Sequence, residues 1–226
     1  MLSARVTWNL KTVFTIYLLR LAVGLILVRL LYPLLFVAHS AVIEITDRLV
    51  MIGLVWLVIR QSRGNFSELG VSWDHLFANA LKGIGAGVSL LAISVFSERL
   101  YTTVLFLSPS QHPLVAQVEQ ASSWEQLLLP LFLAGVAAPV AEETFYRLFT
   151  FLPFKEKWGL WSGAVASAAI FALMHFNLYW LAEMIVVGVG LALLYYQTGS
   201  LLSAVVAHSV INSTKLLLLF YGISLT

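Results

Sequence analysis

Long apolar runs, separated by short polar segments, dominate this chain. Seven of them are long enough to cross the roughly 30 Å hydrocarbon core of a bilayer as helices. They lie near residues 12–37, 41–59, 78–107, 124–153, 158–175, 178–197 and 200–220. The main polar connector runs from Arg60 to His75, and we expect an interfacial helix within it around Phe66 to Leu76. The pattern predicts an all-α fold, a polytopic integral membrane helical bundle of about seven transmembrane helices in one domain over residues 1–226.

Composition indicates the same class of protein. Hydrophobic residues make up 60% of the chain, charged residues make up 11%, and the mean hydropathy is +0.92. A soluble globular domain carries roughly 25% charged residues. The net charge of +2 and the lack of a basic run argue against a nucleic-acid partner, so the lipid bilayer is the expected surrounding. With no cysteine, the chain has neither disulfides nor thiolate chemistry.

The distribution of basic residues predicts how the chain is oriented in the membrane. If the N-terminus is cytoplasmic, six basic residues fall on the inner side and two on the outer side, as the positive-inside rule favours. The six are Arg5, Lys11, Arg60, Arg63, Lys155 and Lys157, and the two are Arg48 and Arg99. The first apolar run reaches about Val37 without a small-residue cleavage site, so we expect it to be retained as a span.

Three charges interrupt the apolar run between residues 127 and 154. A carboxylate in hydrocarbon is costly unless it is paired or faces a polar cavity, so ionisable groups there are functional candidates. On a helix, Glu143 and Arg147 stand four residues apart in the acid-first order that favours an ion pair, whereas Glu142 points about 100° away. The alternative interpretation is that the three charges only lock the helix to its neighbours.

Two histidines interrupt the C-terminal apolar runs. Phe171 and His175 lie four residues apart on one helical face, and so do His208 and Asn212. Taken separately, either histidine is as readily a hydrogen-bonded packing residue as a functional one. The helical rise from the nearest turns places Glu142, His208 and Asn212 at similar depths. His175 comes out deeper, so its helix must tilt, start late or end in irregular backbone for the imidazole to join them.

A proline lies close to the carboxylates. Pro139, three residues before Glu142, removes one helical hydrogen bond. The residues beside it are small, namely Ala134, Gly135, Ala137 and Ala138. We therefore expect a kink that leaves room for a peptide or water beside the carboxylates.

Together, the three motifs resemble the signature motifs of the CAAX prenyl protease and bacteriocin-processing (CPBP, or Abi) family of intramembrane proteases. They are Glu142-Glu143-x-x-x-Arg147, Phe171-x-x-x-His175 and His208-x-x-x-Asn212, in that order and on separate apolar segments. The resemblance spans roughly Pro130 to Leu218 and indicates a CPBP-like catalytic core over residues 120–220. The preceding residues are similar only in forming apolar spans.

The resemblance implies an intramembrane endopeptidase. By this likeness, Glu142 and His175 orient and deprotonate a water molecule, and His208 and Asn212 hold the oxyanion. Glu143 paired with Arg147 is implied to be structural support. The expected substrate is a membrane-associated or lipidated peptide or protein. Bacterial members of the family are linked to peptide maturation, and the small size of the chain favours a bacterial cytoplasmic membrane, in which the positive-inside count places the N-terminus on the cytoplasmic side.

The sequence is compatible with either a metal-free site or a zinc site. Glu142, His175 and His208 form a two-histidine, one-carboxylate set that could hold zinc with an open position for water. The sequence lacks the His-Glu-x-x-His arrangement that would make zinc compelling. We therefore assign no cofactor, favour a metal-free site, and keep a divalent metal such as zinc as the alternative.

Two other functions compete with the protease. A proton- or ion-coupled transporter would use Glu142, Glu183 and the histidines as a relay. A non-catalytic bacteriocin-immunity membrane protein would use none of them chemically. Charges outside the motifs have no assigned role, although Glu44 is spaced for an ion pair with Arg48 and structural pairing is the favoured interpretation for Glu183.

Two further expectations concern packing and depth. Gly83 and Gly87, with Gly85 between them, form a small-residue face that favours close helix packing. Lys215 lies near the end of its run and is expected to snorkel towards the membrane surface. The remaining unassigned charges are Arg20, Arg29 and Asp47.

Overall fold

Helices make up the fold, as the apolar pattern predicts. The computed structural model describes residues 6–37, 39–62, 64–72, 74–108 and 113–223, and within these ranges it contains eight helices and no strand. The helices are α1 (Leu10–Leu35), α2 (Ser40–Gln61), α3 (Leu76–Val104), α4 (Pro113–Glu119), α5 (Trp124–Trp158), α6 (Leu160–Leu173), α7 (Leu181–Thr198) and α8 (Leu201–Phe220).

Five of these helices are long and apolar enough to cross a membrane, namely α1, α3, α5, α7 and α8. The predicted count of seven is therefore not confirmed. Helix α2 has 22 residues, but Glu44, Asp47 and Arg48 lie within it and lower its hydropathy. Helix α6 has 14 residues, which extend about 21 Å and fall short of a full bilayer core.

The connector between α2 and α3 differs from its prediction. Its described residues form turns, and the helix begins only at Leu76, so the expected interfacial helix around Phe66 to Leu76 is wrong. The Asn65 side chain accepts a hydrogen bond from the backbone N–H of Ser67, which closes a local turn. The carbonyl of Gly70 then accepts from the N–H of Leu201 at the start of α8. A local turn and a contact with α8 thus replace the regular hydrogen bonds of a helix in this connector.

One end of the bundle gathers several of the basic residues counted above. The N–H of Val6, just before α1, donates to Glu156 near the end of α5 at 2.8 Å. The Thr7 hydroxyl donates to the carbonyl of Ser62 at the end of α2 at 3.3 Å. The ends that carry Lys11, Arg60, Lys155 and Lys157 therefore lie together. Arg5 and Arg63 fall outside the described residues.

Helix α5 is irregular because it contains prolines. Two π-helical segments, Leu133–Ala137 and Glu143–Phe151, widen it. Pro153 has no N–H to donate to the carbonyl of Phe149 four residues earlier. The indole N–H of Trp8 donates to that carbonyl instead, at 2.9 Å. The widened stretch from Glu143 to Phe151 is almost entirely buried, so α5 forms the centre of the bundle.

The glycine face of α3 packs against α8, as predicted. A Cβ atom at Gly83 would lie 2.7 Å from the carbonyl oxygen of Ser203, and one at Gly87 would lie 2.9 Å from that of Ala207. A Cβ at Gly85 would meet nothing within 4 Å, so this residue lies off the contact. Only glycine permits this approach at Gly83 and Gly87, which brings α3 against the helix that carries His208.

We expect Gly87→Ala to lower the free energy of unfolding by about 1–3 kcal/mol, because the added methyl group would overlap backbone atoms of α8. The matched control is Gly85→Ala, which adds the same methyl group to the same helix in open space and favours the helix slightly. Thermal unfolding in nanodiscs would compare the two variants. Equal midpoints would contradict the close α3–α8 contact.

Three charged side chains meet between α3, α7 and α8. The Nζ atom of Lys215 lies 2.9 Å from a carboxylate oxygen of Glu98 and 2.7 Å from one of Glu183. The structural pairing expected for Glu183 is thus present. The ammonium group of Lys215 is held between two largely buried carboxylates, which give it two charged partners.

Candidate active site

Three residues from separate segments face one another inside the bundle. One carboxylate oxygen of Glu142, on α5, lies 3.9 Å from Nε2 of His175, and the other lies 3.8 Å from Nε2 of His208 on α8. The His208 side chain is 5% exposed, that of Glu142 is 16% exposed and that of His175 is 29% exposed. The cluster is therefore largely buried, and His175 is its most exposed side chain.

His175 reaches this level because α6 ends early. The helix stops at Leu173, and residues 174–176 form a turn. Of the three alternatives for its depth, the structure contains the irregular backbone. Nδ1 of His175 lies 2.7 Å from the carbonyl oxygen of Phe171. A carbonyl only accepts hydrogen bonds, so we assign the proton to Nδ1, which leaves Nε2 facing Glu142.

His208 has a partner that the sequence analysis missed. Its Nδ1 lies 2.8 Å from Oε1 of Glu143, whose other oxygen lies 3.1 Å from Nε of Arg147. The spacing of Glu143 and Arg147 correctly predicted their ion pair. The contact with His208 joins residues 65 positions apart in the chain, so only the packing of α5 on α8 reveals it. Glu143 accepts from Nδ1–H and thereby directs Nε2 of His208 towards Glu142.

An aromatic ring holds this cluster from one side. The Phe171 ring makes edge contacts with His175, at 4.8 Å between ring centroids, and with His208, at 6.0 Å. The guanidinium of Arg147 lies over the same ring at 4.6 Å, a cation–π distance. The first residue of the Phe171-x-x-x-His175 motif therefore contacts both imidazoles as well as the arginine.

The structure places Asn212 in a different contact. Its Nδ2 donates to the carbonyl oxygen of Ala134 at 2.9 Å. In the π-helical segment before Pro139, the N–H of Ala138 bonds five residues back to Leu133. The next bond in that series would join residue 139 to Ala134, but proline has no N–H to supply it. Asn212 satisfies the carbonyl that Pro139 leaves free, and one amide N–H of its side chain remains for another acceptor.

The residues considered for a metal do not form a recognisable ligand set. Over the described part of the chain, no group of three or more His, Cys, Asp and Glu side chains is arranged to hold a metal ion. Nδ1 of each histidine is engaged by a carbonyl or a carboxylate, and the Nε2 atoms face the carboxylate of Glu142. Histidines that bind metals share this orientation, so it does not argue against a metal. Because no ligand group is present in the described residues, we build no chemical step on a metal.

Comparison with known proteins gives a family for the C-terminal part. Residues 124–214 match a family model described as "Type II CAAX prenyl endopeptidase Rce1-like", and the three motifs lie within this segment. Over this segment the match agrees with the resemblance that the three motifs carry. The chain is also 26% identical over 191 residues to an Escherichia coli protein described as "Uncharacterized 24.3 kDa protein". The aligned region covers 82% of this chain and 80% of that protein. No solved structure matches the chain significantly.

The class of protein follows at a coarse level from these observations. The family match supports a membrane protease of the CAAX type, and hence a hydrolase. The five long apolar helices support an integral membrane protein.

Proposed function

We propose that this chain is an intramembrane endopeptidase that hydrolyses a peptide bond with a water molecule activated by Glu142 and His175. The observation that carries this proposal is the set of two imidazole Nε2 atoms at 3.9 Å and 3.8 Å from the two oxygens of one carboxylate. Such separations are too long for direct hydrogen bonds. They suit a single water oxygen that bridges the three groups at normal hydrogen-bond distances.

The protonation states assign distinct roles to the two histidines. With the proton of His175 on Nδ1, its Nε2 accepts a hydrogen bond from the water, while Glu142 accepts the proton that the water loses on attack. His208 lies between the carboxylates of Glu142 and Glu143, and the proposal places a proton on each of its ring nitrogens, so that Nδ1–H donates to Glu143 and Nε2–H is available to the reacting group. The group then carries two negative charges on the glutamates and two positive charges on His208 and Arg147, so it is neutral overall.

The reaction proceeds in two balanced steps. The water oxygen bonds to the peptide carbonyl carbon, its proton moves to Glu142, and the carbonyl oxygen becomes an oxyanion. Nε2–H of His208 donates to the oxyanion, and we propose the remaining amide N–H of Asn212 as a second donor. Glu142 then returns the proton to the leaving nitrogen as the carbon–nitrogen bond breaks, which yields a carboxylic acid and an amine, and the proton of the acid then passes to the amine.

The substrate proposed is a membrane-associated or lipidated peptide or protein. A site sheltered between membrane-spanning helices favours chains that already lie in or on the bilayer. We further propose a bacterial cytoplasmic membrane as the location, with the end of the bundle that carries Lys11, Arg60, Lys155 and Lys157 on the cytoplasmic side. The proposed catalytic core covers residues 120–220 of a single membrane domain.

Quantitative mapping of protein N-termini would test this function directly. Membranes from cells that express the wild-type chain are compared with membranes that hold equal amounts of the Glu142→Gln variant. New N-termini that appear only with the wild type identify substrates and cleavage positions. Synthetic peptides that span those positions, with and without a prenyl or acyl group, are then incubated with purified protein in proteoliposomes. The absence of any difference between the two membranes would count against a protease.

The metal-free mechanism predicts that a chelator leaves peptide cleavage within about twofold of the untreated rate. The physical reason is that Glu142 and His175 activate the water without a Lewis acid. The measurement follows cleavage by purified protein after incubation with a chelator and dialysis, with a known zinc peptidase as positive control. Activity that disappears with the chelator and returns with zinc would assign Glu142, His175 and His208 as metal ligands instead.

A further inference from the structure

A charged pair from the N-terminal half lies beside the candidate site. On α1, Nη2 and Nε of Arg20 donate to the two oxygens of Asp47 on α2 at 2.6 Å and 3.0 Å. This bidentate geometry fixes the plane of the guanidinium, which a lysine ammonium would not do. Both residues lie outside the segment 124–214 that matches the protease family. None of the three motifs explains them.

The same guanidinium also contacts two residues of α5, at the centre of the bundle. Nη1 of Arg20 donates to the hydroxyl of Tyr146 on α5 at 3.2 Å, and its carbon lies 5.3 Å from the centre of the Phe145 ring. Tyr146 is 2% exposed, so its hydroxyl has lost almost all contact with solvent. A buried hydroxyl without a partner would cost about 1–3 kcal/mol. Arg20 is thus the partner that fixes where this ring lies.

Tyr146 in turn contacts the ring that orders the histidines. The Tyr146 and Phe171 rings meet edge to face, with centroids 5.0 Å apart and planes at 73°. The Phe171 ring contacts the rings of His175 and His208. The carbonyl oxygen of Phe171 also accepts a hydrogen bond from Nδ1–H of His175. A continuous series of contacts therefore runs from Asp47 through Arg20, Tyr146 and Phe171 to both imidazoles.

We propose that Arg20, Asp47 and Tyr146 are positioning residues that hold the Phe171 ring, and through it both imidazoles, in the geometry required to activate water. The kinetic part of this inference rests on the proposed function, whereas its structural part does not. The hydrogen bonds that join these three residues reach none of Glu142, His175 and His208. Their effect is on the orientation of His175 and His208, and small errors of orientation are costly in catalysis.

The kinetic test uses Tyr146→Phe, which removes one hydroxyl and keeps the ring, and Arg20→Lys, which keeps the charge and loses the bidentate fork. For a peptide that the wild type cleaves, we expect kcat to fall about 10-fold to 100-fold with little change in KM. Arg20→Lys combined with Tyr146→Phe should be no worse than the poorer single variant, because both act through one contact.

Two control variants match these changes. Tyr17→Phe also removes a buried hydroxyl beside Phe145, but that hydroxyl bonds to Thr150 rather than to Arg20. Glu44→Gln breaks another ion pair on α2, the one with Arg48. Both controls should keep kcat within about twofold of the wild type. A fall in kcat of the same size in the controls would mean that general loosening of the bundle, rather than positioning, explains the result.

A spectroscopic test separates this inference from the proposed function. The chain has 5 histidines, so ring-¹⁵N labelling gives a spectrum simple enough to assign by substitution. We expect Tyr146→Phe and Asp47→Asn to shift the ring signals of His175 and His208 and to leave those of the other histidines in place. Unchanged His175 and His208 signals would overturn the positioning role. If the wild type cleaves no peptide, the protease fails, but this spectrum still decides the positioning role.

Discussion

Replacing Glu142 with glutamine is expected to lower kcat for peptide cleavage by about 10²-fold to 10⁴-fold. Glutamine has nearly the shape of glutamate, so water and peptide can still bind between the two histidines. Its amide, however, cannot accept the proton that the attacking water must lose. The rate of cleavage by equal amounts of purified protein in proteoliposomes measures the effect.

The Glu142→Gln variant should fold like the wild type. Glu142 makes no direct hydrogen bond with either histidine, since the separations are 3.9 Å and 3.8 Å, and glutamine keeps the size of the side chain. We therefore expect an unchanged thermal midpoint. Glu44→Gln is the matched carboxylate control, on a residue that pairs with Arg48 away from the histidines, and it should retain full activity. Wild-type cleavage by the Glu142 variant would exclude this residue as the base.

The second large effect is expected on stability, from Arg147→Ala. Arg147 and Glu143 form an ion pair at 3.1 Å, and their side chains are 1% and 0% exposed. Removing one partner of a buried pair costs about 3–5 kcal/mol, because the remaining charge loses its counter-charge without regaining water. The truncation also takes the guanidinium off the Phe171 ring. Chemical and thermal unfolding in nanodiscs would measure the loss.

Arg48→Ala provides the matched comparison. Arg48 and Glu44 have the same four-residue spacing and lie 3.2 Å apart, but their side chains are 17% and 35% exposed. Loss of this more exposed pair should cost about 1 kcal/mol or less. Similar destabilisation in the two variants would mean that the buried position of Arg147 confers no special stability. Arg147→Ala should also reduce cleavage, because Glu143 would no longer be held where it orients His208.

The candidate site joins structural and chemical roles in the same residues. Glu143 is an ion-pair partner for Arg147 and also the hydrogen-bond acceptor that orients the His208 ring. Asn212 donates to the carbonyl of Ala134 beside Pro139, and its second amide N–H is the one that we propose as an oxyanion donor. Variants of such residues change stability and activity together. Glu142 differs from these residues, because the chemical effect of its substitution is expected to exceed the structural effect.

Local spacing predicted the interactions that lie within one helix. The pairs Glu143–Arg147 and Glu44–Arg48 follow from residues four apart, and both are present. The glycines at positions 83 and 87 share a face for the same reason, and that face meets α8. In each case the geometry of a single helix determines which side chains are neighbours.

Interactions between helices were predictable only where the motifs named the participants. The meeting of Glu142, His175 and His208 was expected from the family resemblance, and the structure brings these side chains together. Spacing gave no indication of Lys215 between Glu98 and Glu183, or of Arg20 between Asp47 and Tyr146. Each of those partners lies on a different helix, at a separation that has no periodicity to detect.

The sequence by itself determined that this protein is an all-helical membrane protein with three polar motifs in its C-terminal half, because long apolar runs can satisfy their backbone in a bilayer only as helices. The tertiary structure decided which of those polar groups meet. The early end of α6 brings His175 to the level of Glu142, and the packing of α5 on α8 brings Glu143 to His208. Depth and rotation of helices arise from packing and proline-induced irregularity, which a linear pattern does not encode.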